Sequence, residues 1–169
     1  MQRLELKTAI AADDAGTITG TAWPFGTPDR VGDVIVKGAF AGSPAALPML
    51  AFHDPNDPVG VWDEVRETDK GLEVKGRLLI GEVARAREIH ALVKSGAVGG
   101  LSIGFVTRKS APRKGGRTIS ALDILECSLV TIPSHPGARV TSAKSAADAL
   151  RLAEIINTAS AALRAKEAH

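Results

Sequence analysis

The sequence predicts a mainly β protein with helices, of the α+β class, built as a small β-barrel. Apolar and polar residues alternate in short runs from residue 4 to residue 79, and Gly, Pro and Asp clusters separate these runs, as in strands joined by tight turns. Helical spacing replaces this alternation over residues 81–96 and again over residues 145–169. With 169 residues, of which 44% are hydrophobic and 24% charged, the chain is long enough to bury a substantial core.

The first third of the chain is predicted to consist of strands. Residues 4–10 (LELKTAI) and 16–25 (GTITGTAWPF) flank a turn-forming Asp-Asp-Ala-Gly and are expected to pair as a hairpin. GTPDRVGD then predicts a loop, and VIV a short strand followed by one helical turn that ends before Pro44. LPMLAF predicts a buried strand, which delivers His53 at its end.

The clearest hairpin spans residues 58–80, with its turn at Asp69–Gly71. Residues 81–96 follow as one helix packed on the barrel after this central hairpin, with Gly96 as its C-cap. GGLSIGFVT returns to a strand, and the basic segment RKSAPRKGGR predicts a flexible loop or solvated hairpin tip. TISALDILECSLVTI is long enough for one bent strand or two.

A C-terminal helical extension, residues 142–169, is predicted to follow a β-barrel domain of residues 1–141. Its helix is expected to open at Ser145, because Asp148 three residues later completes a capping box. The apolar stripe of this helix could pack on the barrel or against another subunit.

Composition excludes several classes of protein. The net charge of +2 predicts neither a nucleic-acid partner nor a membrane partner. The single cysteine, Cys127, excludes an internal disulfide framework and a cysteine-based zinc site. Asp54 and Asp57 lie beside His53, but no second histidine stands at a matching spacing, so no metal or other cofactor is expected. The N-terminus lacks the apolar run of a signal peptide, which predicts a protein of a reducing, cytoplasmic compartment.

Gly100–Gly104 satisfies the pattern G-x-S-x-G, which in α/β-hydrolases places a nucleophilic serine between a strand and a helix. Here the predicted order is reversed, since a helix precedes Ser102 and a strand follows it, so the hydrolase interpretation is rejected. The interest of Ser102 comes instead from His53 at a strand end and Glu126 on the next strand. A hydroxyl, a base near neutral pKa and a polar group that orients the base are what nucleophilic catalysis needs.

Four segments, in order, resemble the prohead (capsid maturation) proteases of tailed phages and of related gene-transfer particles. They run from Gly20 to Val140 and read GTAWPFGTPDRVGDVIVKGAF, MLAFHDPNDPVGVW, VKSGAVGGLSIGF and LDILECSLVTIPSHPGARV. The resemblance implies a barrel similar to that of the herpesvirus assembly proteases. In this family His53 matches the catalytic base and Ser102 the nucleophile.

The resemblance also implies an acidic third member, for which Glu126 is favoured and Asp123 competes. An odd number of residues separates the two, so a regular strand would place them on opposite faces unless a bulge intervenes. The segment SHPGAR resembles the oxyanion loop of the herpesvirus-type fold. Because Pro136 has no N–H group, the oxyanion donors would be backbone amides of His135, Gly137 or Ala138.

The function that the resemblance implies is that of a serine endopeptidase. It would cut the major capsid protein precursor, or a scaffolding segment, in assembling proheads of the host cytoplasm, with self-cleavage as a further option. A homo-oligomer is expected, because herpesvirus-type relatives form dimers through a helix. Two alternatives stay open: a noncatalytic capsid-assembly or scaffolding factor of the same fold, and an unrelated β-barrel binding module.

Overall fold

Seven strands close into a barrel in the computed structural model, which describes residues 15–141. The strand predicted at residues 4–10 and the helical extension at residues 142–169 lie outside the described residues. The elements in chain order are β1 (Thr17–Pro24), β2 (Val34–Ile35), β3 (Leu47–Ala51), β4 (Pro58–Glu67), β5 (Gly71–Leu78), α1 (Ala84–Lys94), β6 (Gly100–Arg113), β7 (Gly116–Val130) and β8 (Arg139–Val140).

Strand β7 organises the barrel. Hydrogen bonding runs in the order β7–β3–β4–β5–β1–β8–β6, and β6 pairs with β7 to close the ring. The short strand β2 lies parallel to β7 at Thr118 and Ile119, outside the ring. Strand β3 lies parallel to β7 at residues 127–129 and leads directly to His53. The predicted class, a mainly β α+β barrel with one helix packed after the central hairpin, is confirmed for the described residues.

The barrel interior is filled by the alternate apolar residues of its strands. Trp62 of β4 is fully buried, and its indole N–H donates to the carbonyl oxygen of Cys127 at 2.8 Å, so its one polar atom is satisfied. Helix α1 buries Ala86, Ile89 and Val93, which share one face at helical spacing. It ends at Lys94, and Gly96 beyond it has a φ of +80°, the left-handed conformation common after a helix end.

The basic segment of residues 108–117 is a strand pair rather than a loop. Strand β6 continues to Arg113 and β7 begins at Gly116, which leaves a two-residue turn whose second residue, Gly115, has a φ of +82°. Cross-strand pairing outweighs the loop-like composition, a tertiary effect that local sequence does not encode. The prediction of a flexible loop was therefore wrong, whereas that of a hairpin tip was right.

This hairpin tip holds the loop of residues 26–33 in place. A Cβ built on Gly32 would lie 1.6 Å from the carbonyl oxygen of Gly115, so only glycine permits this approach. The buried carboxylate of Asp33 accepts hydrogen bonds from the guanidinium of Arg117 and, more weakly, from its backbone N–H, and these bonds lower the pKa of that carboxyl group despite its burial. The loop borders the candidate site, so the tip of β6 and β7 indirectly supports it.

Candidate active site

His53 lies just beyond β3 in an unusual backbone conformation. Phe52 and His53 have backbone φ angles of 55° and 62°, which residues other than glycine rarely adopt. Strand β7 holds both residues: the amide of Phe52 donates to the carbonyl oxygen of Leu129 at 3.0 Å, and the amide of His53 donates to the Oγ of Ser128 at 3.1 Å. The backbone therefore turns the imidazole toward β7, away from the direction that an extended strand would give it.

Glu126 of β7 receives that imidazole. The Nδ1–H of His53 donates to Oε1 of Glu126 at 2.7 Å, and the Oγ of Ser128 donates to Oε2 at 2.5 Å. The Glu126 hydrogen bond, more than its charge, raises the pKa of His53 above its usual value and outweighs partial burial. With Nδ1 occupied, Nε2 is the ring nitrogen that can exchange a proton with another group.

A β-bulge separates Glu126 from Asp123. The register moves from Gly104 opposite Glu126 to Phe105 opposite Ile124, so Leu125 has no partner on β6. Asp123 forms an ion pair with Arg108 on the exposed part of the hairpin. Of the two acidic candidates, it is Glu126 that contacts His53.

The glycines of G-x-S-x-G make room on one face of β6. Gly100, Ser102 and Gly104 alternate, and Ser102 stands opposite Ser128 in the register. A Cβ on Gly104 would lie 2.4 Å from Oε1 of Glu126, and one on Gly100 would lie 2.7 Å from the Pro133 ring. The motif therefore reflects cross-strand clearance around a serine, which agrees with rejecting the hydrolase turn.

The Ser102 hydroxyl faces a small cavity of about 70 Å³. Ser102 is 3% exposed, and its Oγ lies 3.3 Å from the Oγ of Ser134, with which it shares a hydrogen bond. No hydrogen bond joins Ser102 to His53 within residues 15–141. Free enzymes often make this contact only when substrate binds. Besides Ser102 and Ser134, the cavity is lined by Ala22, Trp23, Asp29, Leu101, Ile103, Phe105 and His135.

Contacts of His135 stabilise the loop of residues 134–139, which resembles an oxyanion loop. The buried ring of His135 packs edge-on against Trp23, and its Nδ1 accepts the amide of Gly137 at 3.0 Å. The amide of Ala138 donates to the His135 carbonyl oxygen at 3.0 Å. Two of the three predicted donors are thus engaged inside the loop, whereas the His135 amide has no partner among residues 15–141.

Two serines that sequence reasoning did not single out contact the candidate residues. Ser128 links His53 and Glu126, and Ser134 contacts Ser102. Ser128 carried a usable signal, because it stands two residues after Glu126 and strand alternation places both on one face. Ser134 carried none, since its position depends on the path of a loop.

The acidic residues near His53 have structural partners. A carboxylate oxygen of Asp54 accepts the amide of Asn56 at 2.8 Å, and Asp57 accepts from the guanidinium of Arg85 on α1 at 3.0 Å. In the part of the chain that the structure describes, no three His, Cys, Asp or Glu side chains are grouped as a metal would require. None of the helices described there has the length and apolarity to cross a membrane.

Comparison with known proteins agrees with the motifs. Residues 2–151 match the family described as caudovirus prohead serine protease. The chain is 37% identical over 148 residues to a capsid polyprotein of Pseudomonas phage PAJU2, covering 83% of this chain and 22% of that protein. It is 33% identical over 138 residues to the prohead protease of Enterobacteria phage HK97, covering 77% of this chain and 61% of that protein. The chain therefore spans less than two thirds of either relative.

Proposed function

We propose that this chain, which belongs to the caudovirus prohead serine protease family, is a serine endopeptidase with Ser102 as nucleophile and His53 as general base. Glu126 is the residue that orients His53. The observation that carries the proposal is the 2.7 Å hydrogen bond from Nδ1 of His53 to Glu126. Ser102 lies on the neighbouring strand β6, on the same face of the sheet as Glu126. The hydrogen bond from His53 to Glu126 fixes the tautomer in which Nε2 can accept a proton.

The proposed reaction is acyl transfer through a covalent intermediate. The Ser102 hydroxyl exchanges its contact with Ser134 for one with His53 and attacks the scissile carbonyl carbon, while Nε2 takes its proton. His53 then returns that proton to the leaving amine, and water hydrolyses the acyl-enzyme by the same route. The amide of His135, which has no partner in the part of the chain that the structure describes, is the favoured oxyanion donor, since those of Gly137 and Ala138 have partners. The chemistry requires no cofactor.

The proposed substrate is the capsid protein precursor or its scaffolding segment. One relative is named a capsid polyprotein and the other a prohead protease, which supports a cut made during particle assembly. The proposed place of action is the assembling prohead in the host cytoplasm, for a phage or a gene-transfer particle, with the protease acting as a homo-oligomer. Neither nucleic acid nor membrane is part of the proposal.

Co-expression with the capsid precursor encoded in the same genome tests this function. The intact mass of the precursor is expected to fall to that of a truncated product, whose termini identify the scissile bond. A culture that expresses the precursor alone is the control. An uncut precursor in the co-expression culture, with both proteins present and assembled there, would favour the noncatalytic assembly factor.

The pH dependence of cleavage is expected to follow His53. Its imidazole must be neutral to accept a proton, so kcat/KM rises with pH through a pKa that Glu126 raises above about 6.5. Measuring kcat/KM from pH 5 to 9 on a peptide that spans the cleavage site checks this. A rate that rises below pH 6, or not at all, would argue against His53 as the base.

Replacing Gly104 with alanine is expected to lower kcat/KM by about 10- to 100-fold, the cost of losing one hydrogen bond to a charged group. The new Cβ would lie 2.4 Å from Oε1 of Glu126, so the carboxylate must shift and its hydrogen bond to His53 is weakened. Gly81→Ala is the matched control, since a Cβ there meets nothing within 4 Å. Equal rates for the two variants would show that the clearance at Gly104 is not needed.

A further inference from the structure

Ser128 joins the two residues that the proposed mechanism pairs. Its hydroxyl donates to Oε2 of Glu126 at 2.5 Å and accepts the backbone N–H of His53 at 3.1 Å. The residue is fully buried in β7. One hydroxyl thus fixes the side chain of the orienting acid and the main chain of the base together.

Each of these two hydrogen bonds of Ser128 restrains the group that it contacts. The carboxylate of Glu126 can rotate about its last bond, and a donor on Oε2 keeps Oε1 turned toward His53. The amide of His53 belongs to a residue in the left-handed region, where support from neighbouring structure is required. An alanine in place of Ser128 would leave this amide without its acceptor and the carboxylate with one donor fewer.

Among residues 15–141, the charged groups near this corner pair elsewhere, and burial raises the pKa of the neighbouring Cys127 thiol, which keeps it neutral. Asp54 caps its own loop, and Asp57 pairs with Arg85 of α1. Arg108 pairs with Asp123 beyond the bulge. A change at Ser128 would therefore act on Glu126 and on the backbone of His53, and not on another ion pair.

We propose that Ser128 is a positioning residue, whose hydroxyl holds Glu126 and His53 in the arrangement that lets His53 act as a base. This inference rests on the proposed function for its catalytic meaning. It is distinct from the assignment of Ser102 as nucleophile, because Ser128 acts through Glu126 and His53 and does not touch the substrate.

The test measures the pKa of His53 directly, by following its imidazole carbon and nitrogen resonances against pH. The variants Ser128→Ala, Ser128→Cys and Ser128→Thr are compared in a Ser102→Ala background, so no activity is needed. Thiols are weak donors, whereas threonine keeps the hydroxyl. The pKa of His53 is expected to fall toward 6.5 with alanine and cysteine and to stay near its parent value with threonine. The variant Ser120→Ala, on the same strand, is the matched control and should leave it unchanged.

An unchanged His53 pKa in a folded Ser128→Ala or Ser128→Cys protein would overturn the proposal. Cysteine nearly conserves the volume of serine, so it decides the question even where threonine disturbs the packing. With Ser102 present, Ser128→Ala is expected to lower kcat/KM by about 10- to 100-fold and to move the rise of the pH profile to lower pH. Absence of cleavage by the parent chain would instead count against the protease, and the resonance titration would still decide the role of Ser128.

Discussion

Replacing Ser102 with alanine is expected to abolish cleavage of the capsid precursor, with a loss of about 10⁶-fold in kcat, as for the nucleophile of a well-studied serine protease. The oxygen proposed to attack the scissile carbonyl is then missing, so the acyl-enzyme on Ser102 cannot form. The barrel should be unaffected, because within the described part of the chain the hydroxyl of Ser102 has only the Oγ of Ser134 as a partner.

Intact-mass measurement of the co-expressed precursor checks this expectation. Ser110→Ala is the matched control, since Ser110 is exposed on the same strand and far along the hairpin from His53. It should cut like the parent chain. Persistent cleavage by Ser102→Ala would remove Ser102 from the mechanism, and loss of cleavage by Ser134→Ala alone would assign the nucleophile to the neighbouring hydroxyl.

The variant Glu126→Gln is expected to lower kcat by about 10⁴-fold, as the matching change does in the serine-protease triad. Glutamine keeps the shape of the side chain, but its amide can offer a donor where His53 needs an acceptor at Nδ1. The imidazole then takes the tautomer with its proton on Nε2, which cannot accept one from Ser102.

Asp123→Asn is the control, because Asp123 contacts Arg108 and lies beyond the bulge at Leu125. It should cut at close to the parent rate. Single-turnover rates on a peptide spanning the cleavage site, with melting temperatures to verify folding, compare the two variants. If Asp123→Asn lost activity and Glu126→Gln kept it, the assignment of the acid would have to be reversed.

The sequence was sufficient to predict the barrel, because apolar and polar residues alternate in its strands and Gly and Asp occur in its turns. The central hairpin and the helix after it follow directly from hydrophobic spacing. For residues 108–117 the sequence indicated a hairpin tip, but it did not show that both strands continue to within two residues of the turn, because pairing with a partner strand decided that. The position of the bulge at Leu125 could not be predicted either, because cross-strand register depends on both strands at once.

The candidate site likewise has residues that the sequence could predict and contacts that it could not. His53 and Ser102 were singled out because a strand end and motif order mark them, and Glu126 because it lies on the next predicted strand and the resemblance implies an acid. The partners of the amides of Gly137 and Ala138 depend on how one loop folds upon His135. Such contacts have no pattern along the chain, so the sequence could name the oxyanion loop without ranking its donors.

The backbone at Phe52 and His53 has a consequence for how such proteins change over evolutionary time. Left-handed residues other than glycine each cost about 1–3 kcal/mol, so this turn lowers the stability of the fold. A glycine at position 53 would relieve the part of that cost that falls on His53, and it would remove the imidazole that we propose as the general base. Under the proposed mechanism, stability and activity are thus opposed at this residue, and selection for the reaction would maintain a histidine there. A lineage that kept the barrel for assembly alone would be free to lose it.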